Sequence, residues 1–291
     1  MKKPRVISGL AAAGIIIGSL ILVLILVQLA IAASNDELVV SFLDVGQGDA
    51  TLIETPSGVQ VLIDGGRFRS VDRALSRALP FYDRSIDMII ATHADADHIG
   101  GLVTVLEEYD VGHVILPAQV SETSDYMALL EATTQEKSEG ATVRQVSRGD
   151  VVSLGDEAYL QILFPLAGHV PADTNDSSLI MKLIYGETSW LFTGDSSQVM
   201  EGFVVGQLAE QIDVDVLKVG HHGSDTSSDE SFLAAASPAF AVISAGANNP
   251  YGHPTDTVLG RLVSIGAETL CTCDLGTIVF ISNGREVRRQ K

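Results

Sequence analysis

The chain has 291 residues, 46% of them hydrophobic, with 18 Lys and Arg against 37 Asp and Glu and a formal charge of −19. So acidic a body repels polyanions on average, which excludes a broad basic surface as the basis of any nucleic-acid binding. Two cysteines one residue apart supply no disulfide framework. Their spacing makes a bridge sterically poor, and they read as a strand pair on one face.

Lys2, Lys3 and Arg5 precede an uncharged run from Val6 to Asn35, of which residues 10–33 are almost wholly apolar. A helix of that length spans a bilayer, and basic residues at its start favour a cytoplasmic N-terminus. Residues 1–35 therefore read as a single-pass membrane anchor with an extracytoplasmic domain. A cleaved signal peptide, leaving a secreted domain, is the alternative, since Ala30-Ile31-Ala32 is a small-residue cleavage site. The apolar run is longer than the ~7–15 residues usual in such a peptide. Either way residues 36–291 form one large exported domain.

Beyond the anchor a strand is expected at 38–43, ending in Asp44-Val45-Gly46-Gln47-Gly48-Asp49. A second, at 59–63, ends in Asp64-Gly65-Gly66. Such Asp-Gly turns are usually structural, although an Asp there can also orient a metal-bound His from behind. A helix at 70–79 leads to a strand at 86–91, which runs straight into His93-Ala94-Asp95-Ala96-Asp97-His98-Ile99-Gly100-Gly101. Two imidazoles and two carboxylates within six positions can project to two sides of a tight loop and serve two adjacent metal ions. Such a pair activates water and clamps an oxyanion. A single His-Asp pair would read as a solvated turn; the intact run reads as a metal site.

Helices at 99–109 and 125–136 flank a strand at 114–116, followed by strands at 159–164 and 179–185. Thr174-Asn175-Asp176-Ser177-Ser178 lies between those two and can lend polar groups to the same cleft. The strand at 190–193 closes in Gly194-Asp195, leaving a carboxylate free to bridge metals. Helix 198–210 precedes strand 214–219, which ends in His221-His222-Gly223-Ser224, a pair of histidines that packing does not explain. Helix 229–236, strand 240–244, the turn-rich loop Asn248–Pro254 with His253, helix 255–265 and strand 277–281 complete the chain. Consecutive strands early and alternating strands and helices late point to an α+β fold of two sheets sandwiched by helices. His113 and His169 read as ordinary surface or packing residues.

Together DVGQGD, LIDGG, THADADHIGGL, NDSSLIMKL, LFTGD, LKVGHHGS and NNPYGHP resemble the metallo-β-lactamase-fold domain of the ComEC competence-protein family, over about residues 38–282. The resemblance implies a four-layered αββα sandwich with a binuclear site. His93 and Asp95 would serve one metal, Asp97 and His98 the other, and Asp195 would bridge them. One of His221 and His222 would complete the second site. His253 is an alternative last ligand or an acid. Where the wider superfamily has histidines, this chain has Asp95 and only Asn175-Asp176, so two divalent ions, Zn or Mn, are both compatible with the harder oxygen donors. The family proper resembles a polytopic channel, so conduction of DNA by this chain alone is not expected.

The expected activity is metal-dependent hydrolysis of a phosphodiester, in DNA or in a smaller phosphoester. Asp97 would orient the attacking water, and His222 or His253 would act on the leaving oxygen. Lys218, Ser224 and Thr226 would contact substrate phosphate. Hydrolysis of a phosphocholine ester, a lactone or a β-lactam is the first rival, and a non-catalytic DNA-binding role in competence the second. Oligomeric state is not legible.

Overall fold

The computed structural model describes residues 14–19, 21–23, 37–117, 119–168, 171 and 173–290. Residues 14–19 and 21–23 are helical. Among the described residues no helix is long and apolar enough to cross a membrane. The expected anchor lies largely outside the described residues, as does His169.

Residues 37–291 fall into one compact unit. Its first half runs β1 (Leu38–Phe42), β2 (Thr51–Glu54), β3 (Gln60–Ile63), α1 (Ser70–Ala78), β4 (Ser85–Ile90), α2 (Ala96–Glu108), β5 (Asp110–Ile115), α3 (Ser124–Glu139) and β6 (Thr142–Arg144). The second half runs β7 (Val151–Gly155), β8 (Ala158–Phe164), β9 (Ile180–Tyr185), β10 (Thr188–Phe192), α4 (Gln198–Leu208), β11 (Val216–Lys218), α5 (Glu230–Ala236), β12 (Phe240–Ile243), α6 (Asp256–Ser264), β13 (Glu268–Cys271), α7 (Thr272–Leu275), β14 (Ile278–Ser282) and β15 (Val287–Arg289). Two sheets result, ordered β15-β14-β1-β2-β3-β4-β5-β6 and β13-β12-β11-β10-β9-β8-β7.

Side-chain alternation builds the layers, because successive residues of a strand face opposite sides of a sheet. Leu38, Val40 and Phe42 of β1 meet Leu160, Trp190 and Phe192 of the other sheet in a core between the sheets. Leu52, Leu62 and Ile89, on the opposite face of the first sheet, pack under Leu75, Leu102 and Leu129 of α1, α2 and α3. Leu191, Leu217 and Ala241 do the same for Val204, Phe232 and Leu262 of α4, α5 and α6. The order helix, sheet, sheet, helix is the expected αββα sandwich.

Ten expected strands and six expected helices are present within a few residues. The strands β2, β6, β7, β13 and β15 were not anticipated: each has three to five residues and opens on a polar residue or follows a turn too closely to stand out. One reading is overturned. Cys271 and Cys273 are disulfide-bonded, with Cα atoms 5.1 Å apart. They do not share a strand, because the chain turns from β13 into α7 between them, and that turn brings the sulfurs together.

Candidate metal centre

β4 ends at Ile90, and the chain crosses the sheet edge before α2 begins at Ala96. Asp95 has extended backbone there and makes no capping hydrogen bond; its carboxylate instead accepts from the Thr174 side chain and lies near His93. Asp97 and His98 follow in the first helical turn. His93 and His98 are fully buried, with ring centroids 4.1 Å apart. Behind them Asp64 accepts hydrogen bonds from the Thr92 amide at 2.8 Å and the Thr92 hydroxyl at 2.7 Å, and from His98 Nδ1 at 2.9 Å. A carboxylate only accepts, so His98 carries its proton on Nδ1 and turns the lone pair of Nε2 into the cleft.

The second sheet supplies the opposite wall. Gly194, at φ 53°, turns the chain after β10, and the Asp195 amide donates to Ser178 Oγ at 3.1 Å. After β11, His221 and His222 both adopt left-handed backbone, φ 47° and 54°, which sends adjacent side chains to different places. His222 is buried, and its Nδ1 donates to the Ser244 carbonyl at 2.9 Å. The His221 side chain keeps 26% of its exposure and pairs through Nδ1 with Thr226 Oγ1 at 3.0 Å.

These walls converge on the Asp195 carboxylate. Its Oδ2 lies 3.3 Å from His98 Nε2 and 3.3 Å from His222 Nε2, and His222 Nε2 lies 3.4 Å from Asp97 Oδ2. His93 Nε2 is 3.9 Å from Asp95, and His221 Nε2 is 3.9 Å from Asp195. The Nε2 atoms of His93, His98 and His222 and Asp195 Oδ1 are buried without a hydrogen-bond partner. Buried polar atoms are normally satisfied, so this concentration of orphans around one carboxylate fits a divalent cation with imidazole and carboxylate ligands.

Charge tells the same story. Burial and the neighbouring His98 lower His93 to about 3, so it stays a neutral donor. Burial opposes ionisation of Asp195, but the His222 and His98 charges hold it well below the usual carboxylate range. Burial likewise opposes charge on His98 and His222, yet the Asp195 carboxylate raises both above the usual 6.5. The pocket is thus an anionic site in which protons stand where a cation could.

Asp49, His98, Asp195 and His222 offer donor atoms within 4.8 Å of one another. Asp49 nevertheless faces the rear of the imidazoles: its Oδ1 lies 3.3 Å from His222 Nδ1 and its Oδ2 3.8 Å from His98 Nδ1. Its Oδ1 is, like the imidazole Nε2 atoms, buried without a hydrogen-bond partner, and its carboxylate pairs with the Lys218 ammonium. Lys218, 3% exposed, also donates to the Gly194 carbonyl at 3.2 Å and lies 3.7 Å from Asp195 Oδ1.

A family model described as the metallo-beta-lactamase superfamily matches residues 43–247. The chain belongs to the metallo-beta-lactamase superfamily. It is 36% identical over 259 residues to ComE operon protein 3 of Bacillus subtilis, covering 83% of this chain and 32% of that protein. It is 32% identical over 227 residues to Recombination protein 2 of Haemophilus influenzae, covering 77% and 26%. These relatives are competence proteins of the ComEC family, and the chain spans about a third or less of their length. CmlA of Streptomyces venezuelae, a diiron beta-hydroxylase, shares the fold at a TM-score of 0.53 and 17% identity, over 81% of this chain and 53% of that one. The superfamily assignment makes this a metal-dependent hydrolase fold with a candidate metal centre.

Within that superfamily frame, the structure gathers His93, Asp95, Asp97, His98, Asp195 and His222 at one sheet edge. Of the two adjacent histidines, His222 enters the cluster and His221 sits at its rim. His253 stands outside the donor cluster, its ring 5.8 Å from that of His221 and stacked at 5.8 Å on Tyr251. The phosphate-contact reading of Lys218 is overturned, because its ammonium is buried against Asp49. Ser224 is buried too, bonded to Thr226 Oγ1 at 3.0 Å. Asp49 and Asp64, which the sequence offers as turn residues able also to orient a His from behind, both lie against imidazole Nδ1 atoms.

Those glycines bind the motifs together. Gly65 N donates to the His98 carbonyl at 2.7 Å, Gly66 N to that of Asp49 at 2.7 Å, and Gly101 N to that of Gly66 at 2.9 Å. A Cβ on Gly101 would sit 2.0 Å from the Gly65 oxygen, and one on Gly48 would sit 2.2 Å from the Asp97 oxygen. Backbone therefore lies directly on backbone, and only glycine permits that approach.

Proposed function

We propose that the chain is a phosphodiesterase acting on nucleic acid through two divalent ions, manganese or zinc. The observation that carries this reading is the convergence of two unpartnered, buried imidazole nitrogens, those of His98 and His222, on Asp195, with Asp97 alongside and a third, that of His93, beside Asp95. Asp49 and Asp195 flank the one buried ammonium, Lys218, and Asp64, Asp95 and Asp97 add carboxylates beside the imidazoles, an anionic excess that two divalent ions would neutralise once the imidazoles give up their protons. His93 and Asp95 would hold one ion, Asp97, His98 and His222 the other, with Asp195 between. Such ions supply an acidified water and charge neutralisation at the transferring phosphoryl group.

The chain's own residues do the rest. Asp97, whose side chain keeps 28% of its exposure, faces the cleft and can accept a proton from water. Burial opposes its ionisation, but His222 and His98 hold it below the usual carboxylate range, so it is a carboxylate throughout the working pH range. His221 and His253 line the mouth, where either can donate to the leaving oxygen. Relatives named for competence and recombination favour DNA as the substrate. Hydrolysis of another ester or amide, and non-catalytic DNA binding, are the rival readings. We place the domain outside the membrane, held by residues 1–35 or released after their cleavage, on the sequence alone.

The full chain supplied with Mn²⁺ or Zn²⁺ should hydrolyse bis(p-nitrophenyl) phosphate and cut DNA, and Asp97→Ala should cost ~10²-fold or more in kcat. Inertness toward both substrates with both metals, or an Asp97→Ala variant of unchanged activity, would end the proposal.

A further inference from the structure

Cys271 closes β13, Cys273 lies in α7, and their sulfurs are joined across one intervening residue. A disulfide stabilises mainly by restricting the unfolded chain, and that effect shrinks with the loop it closes. With a sequence separation of 2 the constraint is near its minimum. The segment is also held without it. β13 pairs along its length with β12, and the Thr272 hydroxyl accepts from the Ala245 amide at 3.0 Å. A staple is therefore a poor account of this bond.

The two sulfurs differ in ways that matter chemically. Cys271 is 8% exposed, whereas Cys273 is partly open to solvent. The Cys273 amide donates to Cys271 Sγ at 3.2 Å, and a donor at sulfur stabilises a departing thiolate. One sulfur is thus placed to be attacked and the other to leave.

We propose that Cys271–Cys273 is a thiol–disulfide exchange site that takes electrons from external thiols. An external thiolate attacks Cys273 Sγ; a mixed disulfide forms, the Cys271–Cys273 bond breaks, and Cys271 departs as thiolate. A second external thiolate attacks the external sulfur of that mixed disulfide, releasing Cys273 as thiolate. Two electrons and two protons reach the chain, and the two external thiols end as one disulfide. The metal centre takes no part, so this inference stands or falls independently of the proposed hydrolysis.

The test equilibrates the folded full chain with mixtures of reduced and oxidised glutathione, quenches with N-ethylmaleimide and weighs the protein. A doubly alkylated species should replace the unmodified one as the mixture becomes reducing, with the cooperative thermal transition retained. With oxidised glutathione, Cys271→Ser, which leaves the accessible Cys273, should form a mixed disulfide roughly tenfold or more faster than Cys273→Ser. Alkylation only after unfolding, thiols that stay reduced in excess oxidised glutathione, or equal rates for the two variants would each overturn the proposal.

Discussion

The two sheets hold their halves of the metal centre by different physics. On the first, the main chain carrying Asp97 and His98 is fixed by backbone packed on backbone, with Gly48, Gly65, Gly66 and Gly101 at the contacts, and Asp64 then aims the His98 ring. On the second, Asp195 and His222 are fixed by buried polar side chains: Lys218, Ser178 and, one layer further out, Glu201. Steric positioning tolerates no added atom but is indifferent to pH. Polar positioning tolerates shape changes but fails when a partner is removed or its charge changes.

That contrast can be tested in order of expected effect. Lys218→Met takes the ammonium from Asp49 and leaves it only the flanking imidazoles, and removing one partner of a buried pair costs about 3–5 kcal/mol. Denaturant unfolding of the metal-free variant should show that loss, and adding Asp49→Asn should restore most of it. A single variant as stable as the parent would remove Lys218 from the second sheet's scaffold.

Glu201 comes next. Its carboxylate accepts from the Ser228 amide at 2.8 Å and the Asp229 amide at 3.0 Å, anchoring the loop behind His221. Burial, reinforced by Asp229 and eased by the amides and Arg261, raises its pKa from 4.5 to about 7. The folded chain holds this proton more tightly than the unfolded one, so the contribution is full below 4.5 and is lost as pH rises to about 7. The loss amounts to about 3 kcal/mol at 1.36 kcal/mol per unit. Glu201→Gln cannot titrate, so its stability should change less between pH 5 and pH 8 than the parent's by most of that amount. Parallel pH profiles would contradict the assignment.

For the first sheet, Gly101→Ala forces a methyl onto the Gly65 carbonyl. It should cost about 1–3 kcal/mol or more, by an amount that does not vary with pH. A neutral result would mean the glycine contacts yield without cost. The smallest effect belongs to the rim. Thr226→Val removes the partner of His221 but touches no ligand, so stability should change by no more than about 0.5 kcal/mol. Affinity for Mn²⁺ or Zn²⁺, read by competition with a chromophoric chelator, should be unchanged. A large fall in affinity would make His221 a ligand and revise the division of labour between the two histidines.

Ligand types, chain order and layer architecture were legible because each is written locally. A run such as His93-Ala94-Asp95-Ala96-Asp97-His98 puts its donors within one turn whatever lies around it, and alternation along Leu38–Phe42 declares two buried faces. The strand signals weakened where segments were short, as at Thr142–Arg144 and Val287–Arg289. What stayed hidden was everything set by partners far along the chain. Lys218 reads as a basic residue at a strand end, but lies 169 positions from Asp49 (218 − 49), its partner across the cleft.

Sequence by itself determined the superfamily, the two-sheet sandwich and the set of residues able to bind a cation, because strand periodicity and ligand spacing are short-range properties. Tertiary structure alone decided that His222 lies within the cluster and His221 at its rim, that Asp49 and Asp64 stand behind imidazoles, that Lys218 is an internal counter-ion and that Cys271 meets Cys273. Each of these depends on a backbone direction or a charge partner supplied by another element, and neither is encoded in the residues next door.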